Sequence, residues 1–154
     1  MSFRGLCLSF GPEKDKDMMK VLVLCTGNSC RSQIAEGYLR HFAGENAEVY
    51  SAGVETHGVN PRAIQVMSED GIDISGHTSN HIDEYTAIDF DRVITVCDNA
   101  KERCPFFPTS AEKFHYNFPD PAKATGTEEE IIDEFRRVRG MIKDYSEAFV
   151  KSNL

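Results

Sequence analysis

The stretch Val21-Leu22-Val23-Leu24-Cys25-Thr26-Gly27-Asn28-Ser29-Cys30-Arg31-Ser32 decides the fold. Its first four residues are a continuous apolar run, the pattern of a parallel strand buried on both faces. Beyond Ser32, the residues Ile34, Ala35, Tyr38, Leu39 and Phe42 recur at helical spacing. Ser32 is placed to cap that helix and Gly44 to end it. Strand, glycine-containing loop and helix, in that order, open an α/β domain.

Outward from this unit the alternation continues. Residues 49–52 read as a second strand. Asn60-Pro61 starts a helix, with proline suited to its first turn, Ile64 and Met67 on its inner face and Gly71 closing it. Residues 92–96 read as a third buried strand ending at Cys97, and residues 113–118 as a fourth. Thr127 and Glu130 form a capping box. After them Ile131, Phe135, Val138, Ile142, Tyr145 and Phe149 mark a long amphipathic helix. The expectation is a three-layer α/β domain with a four-stranded parallel sheet flanked by helices. Residues 20–154 make up the domain, and residues 1–19 are a charged, aperiodic N-terminal extension read as flexible. Ligands of such sheets sit beyond the carboxyl ends of the strands, which places Cys25 and Cys97 on one rim.

The loop from Cys25 to Ser32 carries the chemistry. Its amides and the helix N-terminus converge on one spot and favour negative charge there. Thr26, Gly27, Asn28, Ser29, Cys30, Arg31 and Ser32 are therefore the candidate oxyanion-binding residues. Arg31 adds a forked guanidinium able to bind two oxygens. The same field stabilises a thiolate at Cys25, so one feature binds the anion and activates the nucleophile. Ser32 is within reach of donating to the sulfur, and Gly27 is read as permitting a tight or left-handed turn. No Gly-Lys-Ser/Thr follows, which disfavours a nucleotide-binding loop. Asp120, before Pro121, is the candidate general acid, since an oxyanion's leaving oxygen needs a proton.

Five cysteines stand at positions 7, 25, 30, 97 and 104. Cys97 and Cys104 could join in a disulfide only if the polar segment between them loops back on itself. Read without other evidence, they are equally two unrelated thiols. No cysteine and histidine spacing makes a zinc motif, and His77 and His81, four apart, read as a surface turn. The chain of 154 residues carries a formal net charge of −8. That disfavours nucleic acid and anionic membrane as partners. No apolar run reaches transmembrane length, and the acidic and basic residues after Phe10 make a poor signal sequence. The expected setting is cytoplasmic, and the expected state monomeric.

Residues 20 to about 150 resemble the thioredoxin-coupled arsenate reductases, which share the low-molecular-weight protein tyrosine phosphatase fold. The similar stretches are residues 21–32, 50–61, Ile72-Asp73-Ile74-Ser75 with His77-Thr78-Ser79, Cys97 with Cys104-Pro105, Asp120-Pro121-Ala122, and residues 135–139. The resemblance implies an oxidoreductase of arsenical resistance with a redox-active disulfide and no tightly bound cofactor. Cys25 would attack arsenate held by the loop and Arg31, and Asp120 would protonate the leaving oxygen. Cys97 would then attack Cys25, Cys104 would attack Cys97, and thioredoxin would reduce the resulting disulfide. Phosphate and sulfate would bind as analogues. One subgroup holds potassium near the positions of Asn28, Ser51 and Thr78, with a carboxylate where this chain has Asn80. Pro119 stands where an additional acidic residue is common. The rival reading is a phosphatase using Cys25, Arg31 and Asp120. A thiol can reduce sulfur-bound arsenic(V) but not phosphorus, so Cys97 and Cys104 favour the reductase, with phosphatase activity on the side. Ala122-Lys123-Ala124, in place of aromatics that stack on phenolic substrates, points the same way. A non-catalytic oxyanion binder is disfavoured because nucleophile, arginine and acid are all present.

Overall fold

The computed structural model describes residues 18–97 and 107–154. Cys7, Cys104 and most of the N-terminal extension lie outside them. The described chain runs β1 (Met19–Cys25), α1 (Arg31–Ala43), β2 (Ala47–Gly53), α2 (Pro61–Glu69), β3 (Arg92–Thr95), β4 (Glu112–His115) and α3 (Glu128–Asn153). Short 3-10 turns cover Gly44–Asn46, Ile82–Tyr85 and Pro121–Lys123. The four strands form one sheet in the order β2-β1-β3-β4, and every neighbouring pair is parallel. The parallel α/β expectation holds.

The apolar run of β1 explains its central place. Val21 and Val23 face a core shared with α1, α2 and α3. Leu22 and Leu24 face the opposite side, against Ile82, Phe90, Val93 and Phe107. Alternating side chains of one strand thus anchor two layers. Gly44 ends α1 with φ 57, and Asn60 caps α2 by accepting from Arg62 N at 2.8 Å, both as read from sequence. Thr127 and Glu130 close their capping box.

Three local expectations differ. β4 stops at His115 rather than Phe118. Tyr116 N still donates to Thr95 O at 2.9 Å, but the partner strand β3 ends at Thr95, opposite His115, and the chain turns toward the Cys25 loop, where Phe118 O accepts from Arg31. In α3 the buried line runs through Ile132, Phe135, Val138, Ile142, Ser146 and Phe149. Ile131 and Tyr145 sit at its margin, because a period of 3.6 residues carries the stripe past them. Ser32 does not cap α1. The cap position is Cys30, which makes no side-chain capping bond, and Ser32 lies inside the first turn.

Candidate active site

The loop between β1 and α1 is held from outside by its carbonyl groups. Thr26 O accepts from Glu55 N at 3.0 Å, Gly27 O from His57 N at 3.1 Å, and Ser29 O from Asn60 N at 3.1 Å. Asn28 O accepts from Gln33 Nε2 at 3.1 Å and Ser79 Oγ at 2.9 Å. With these four carbonyls turned outward, the peptide dipoles present N–H toward the inside of the loop. The inside is a cleft of about 590 Å³, walled in part by Cys25, Thr26, Gly27, Ser29, Cys30 and Arg31.

Arg31, almost wholly buried, donates to Phe118 O at 3.2 Å and lies 3.6 Å from Asp120 Oδ2. Asp120 caps the turn Pro121–Lys123, its Oδ1 accepting from Ala122 N at 3.0 Å. Both also line the cleft, so the Cys25 thiol, the guanidinium and the carboxylate come together as the sequence implies. The two loop cysteines differ. Burial, followed by the Asp120 carboxylate, pushes the Cys30 thiol up to about 12, so it stays protonated near neutrality. Neither Cys25 nor Cys30 is in a disulfide.

Cys97 lies at the rim where sequence puts it. β1 and β3 pair with Leu24 opposite Thr95, and Val96 N donates to Leu24 O at 3.0 Å. Cys97 is buried and disulfide-bonded. Its expected partner in the relay, Cys104, is outside the described residues.

The left-handed residue of the loop is Asn28, at φ 49, and not Gly27. A short polar side chain tolerates that conformation better than most. Gly27 is needed for a different reason: a Cβ there would stand 2.6 Å from His57 Nδ1. Asn28 is fully buried and turned away from the cleft. Its Nδ2 donates to Ser32 Oγ and Ser51 Oγ, each at 2.9 Å, and its Oδ1 accepts from Asn80 N at 2.7 Å.

Behind Asn28 is a polar network that sequence reading missed. Ser51 Oγ donates to Glu36 Oε1 at 2.6 Å, and Glu36 Oε2 takes Arg40 Nη2 at 2.7 Å. Gln33 also donates to Thr78 O at 3.0 Å and pairs with His77 Nδ1 at 3.0 Å. His77 closes a turn on Ile74 O at 3.0 Å, but not at the surface: its side chain is 12% exposed, and burial holds its imidazole below the usual histidine range. His81 is the exposed cap of the turn at Ile82. Gln33, Glu36 and Arg40 step by three and four along α1, which reads as a solvated face. Only the tertiary fold reveals that Gln33 and Glu36 are covered, while Arg40 stays exposed.

A cavity of about 130 Å³ lies in this network, lined among others by Glu36, Ser51, Thr78 and Asn80. One carboxylate with hydroxyl and amide oxygens suits a large monovalent cation in kind. Arg40 already answers the carboxylate, and the Asn28 amide is taken up by its three bonds. Among the described residues, no cluster of three His, Cys, Asp or Glu side chains could hold a metal ion. No helix among them is long and apolar enough to cross a membrane.

The family model described as low molecular weight phosphotyrosine protein phosphatase matches residues 20–153. The chain belongs to that family. Relatives similar in sequence include proteins named arsenate reductase. An arsenate reductase of Oceanobacillus iheyensis is 48% identical over 132 residues, covering 86% of this chain and 95% of that one. The arsenate reductase of Bacillus subtilis is 46% identical over the same length and coverage. Among solved structures, an arsenate reductase in the phosphate binding state superposes with a TM-score of 0.75 at 35% identity, covering 88% of this chain and 98% of the other. An oxidised arsenate reductase gives 0.74 at 34% identity, with the same coverage. The family fold also extends to a Vibrio vulnificus protein, Wzb, in complex with benzylphosphonate, at TM-score 0.72 and 21% identity; that likeness speaks for the fold alone.

Proposed function

We propose that this protein reduces arsenate to arsenite in the cytoplasm, with Cys25 as nucleophile and thioredoxin as final reductant. The observation that carries the reading is the outward-bonded set of loop carbonyls, which leaves amides and Arg31 facing the cleft beside Cys25. The relatives named arsenate reductase supply the choice of oxyanion.

The Cys25 thiolate attacks arsenic, and a leaving oxygen departs as water with a proton from Asp120. The Cys97 thiolate then attacks Cys25 Sγ. The sulfur–arsenic electron pair passes to arsenic, arsenic(V) becomes arsenic(III), and arsenite leaves with a Cys25–Cys97 disulfide behind it. Cys104 attacks Cys97 and frees the Cys25 thiolate. Thioredoxin reduces the Cys97–Cys104 disulfide. The disulfide at Cys97, with Cys25 outside it, supports this order. Phosphate and sulfate are non-reducible analogues for the same cradle. With Arg40 on the Glu36 carboxylate and the Asn28 amide held by three bonds, the residues around Ser51 and Thr78 do not fit potassium, and no step passes through it.

A phosphatase activity is the second reading, favoured by the assembled Cys25, Arg31 and Asp120. One experiment separates the two. Cys97→Ser and Cys104→Ser should abolish thioredoxin-dependent arsenate turnover and spare hydrolysis of p-nitrophenyl phosphate. Full arsenate turnover by Cys104→Ser with thioredoxin alone would refute the three-thiol relay.

A further inference from the structure

Two polar arms run from α1 to the back of the Cys25 loop, and both begin at Glu36. In one, Glu36 Oε1 accepts from Ser51 Oγ at 2.6 Å, and Ser51 Oγ accepts from Asn28 Nδ2 at 2.9 Å. In the other, His77 Nε2 comes within 3.7 Å of Glu36 Oε2, His77 Nδ1 pairs with Gln33 Oε1 at 3.0 Å, and Gln33 Nε2 donates to Asn28 O at 3.1 Å. The Glu36 side chain is 7% exposed, and a carboxylate so covered needs a positive partner. Burial keeps the His77 imidazole below the usual histidine range, which makes it a poor counter-ion near neutrality. Arg40 is charged at any working pH, and its Nη2 lies 2.7 Å from Glu36 Oε2. The same nitrogen donates to Val49 O at 2.9 Å, so the guanidinium head is tied to β2 although half of its side chain is exposed. A pair of solvated side chains four apart on a helix would contribute almost nothing. Here the acid is buried and the base is anchored.

We propose that Arg40 is a positioning residue of the oxyanion loop, a built-in counter-ion that holds Glu36, Ser51 and Asn28 in line and makes the site independent of potassium. The inference rests on the oxyanion reading of the Cys25 loop. A free cation could reach the Glu36 carboxylate only by displacing the guanidinium. With Arg40 removed, the carboxylate and the oxygens of Ser51, Thr78 and Asn80 around the cavity of about 130 Å³ become a donor set suited to a large monovalent cation. The loss of one fixed charge should therefore create a need that the natural chain does not have.

The test compares full-length proteins in potassium chloride and in choline chloride at equal ionic strength, by calorimetry of inorganic phosphate binding, by Tm and by arsenate turnover. Wild type should behave alike in the two salts. In choline, Arg40→Gln should bind phosphate about tenfold more weakly and lose about as much in kcat/KM for arsenate, the scale of a loop displaced by well under 1 Å. Potassium should restore most of that loss and raise the Tm of this variant alone. Arg40→Lys, which keeps a charge within reach of Glu36, should recover most of the loss without potassium. In the double variant Glu36→Gln/Arg40→Gln the response to potassium should vanish, because no carboxylate is left to call for a cation. A merely structural Arg40 would give the same deficit in both salts. That result overturns the proposal, as do a wild type that gains from potassium, an Arg40→Gln protein with wild-type affinity, and a double variant that still responds. If wild type binds phosphate but does not reduce arsenate, the arsenate reading falls while this inference is decided by phosphate and Tm. If wild type binds no phosphate, the oxyanion reading falls and takes this inference with it.

Discussion

Replacing Asn28 is the sharpest test of how the loop is held. Asn28→Ala removes the three side-chain hydrogen bonds to Ser32, Ser51 and Asn80 in a fully buried position. At about 0.5–1.5 kcal/mol net for each bond, their loss costs roughly 3 kcal/mol. Alanine must also hold φ near 49, which adds about 1 kcal/mol. For a domain of this size each kcal/mol lowers Tm by about 2–4 °C, so the expected fall is near 10 °C. Asn28→Gly loses the same bonds without the conformational cost and should be about 1 kcal/mol less damaging. Both variants loosen the cradle, and kcat/KM for arsenate should fall about a hundredfold, as expected for misplacement on the order of 1 Å. Urea unfolding followed by circular dichroism, beside steady-state turnover, measures both. Equal stability of the glycine and alanine variants would refute the backbone argument. A glycine variant as stable as wild type would refute the hydrogen-bond argument.

Gly53→Ala should be among the most damaging single-methyl changes, because the new Cβ would stand 2.5 Å from Thr26 O and 2.9 Å from Asn28 N, backbone atoms of the loop itself. A loss of about 2–3 kcal/mol in denaturant unfolding, with arsenate turnover nearly abolished, is the expected result. In Gly27→Ala the obstacle is instead the half-exposed His57 ring, which can swing aside, so denaturant unfolding should shift little. Mass-spectrometric mapping after brief iodoacetamide treatment near pH 7.5 should find Cys25 alkylated and Cys30 unmodified, since burial holds the Cys30 thiol up near 12. Glu69, bonded to Arg136 and Arg139, has its carboxyl lowered to about 2 from 4.5. Its folded pKa is the lower one, so its contribution is full above pH 4.5 and is lost as pH falls toward 2. Glu69→Gln should flatten that part of the acid-unfolding curve.

The parts of the fold that sequence made legible are those where one residue type has one physical use. The apolar run before Cys25, Gly44 at positive φ, Asn60 before Pro61 and the box of Thr127 and Glu130 all depend on local geometry, and all appear where pattern places them. Cys25, Arg31 and Asp120, the proposed nucleophile, guanidinium and acid, stood out because such groups have few substitutes, and the structure gathers them around one cleft. What stayed hidden depends on contacts distant in sequence. Ser32 reads as a cap, yet it answers to Asn28 and leaves the first turn of α1 without a side-chain cap. Glu36 and Gln33 look like solvated helix positions until Ser51 and the segment around Thr78 cover them. Gly27 looks like a turn residue, whereas the reason for it lies thirty positions away at His57.

The bonds from Glu55, His57 and Asn60 to the carbonyls of the Cys25 loop join main chain to main chain. The loop's shape is therefore stamped by the main chain of a neighbouring segment acting as a mould, and the length of that mould is fixed by the three bonds. One residue added or removed between Gly53 and Asn60 would put the three donors out of step with their acceptors while leaving every residue of the reactive loop in place. Transplanting residues 25–32 alone into another strand–helix junction would carry the nucleophile and the arginine but not the direction in which the amides point.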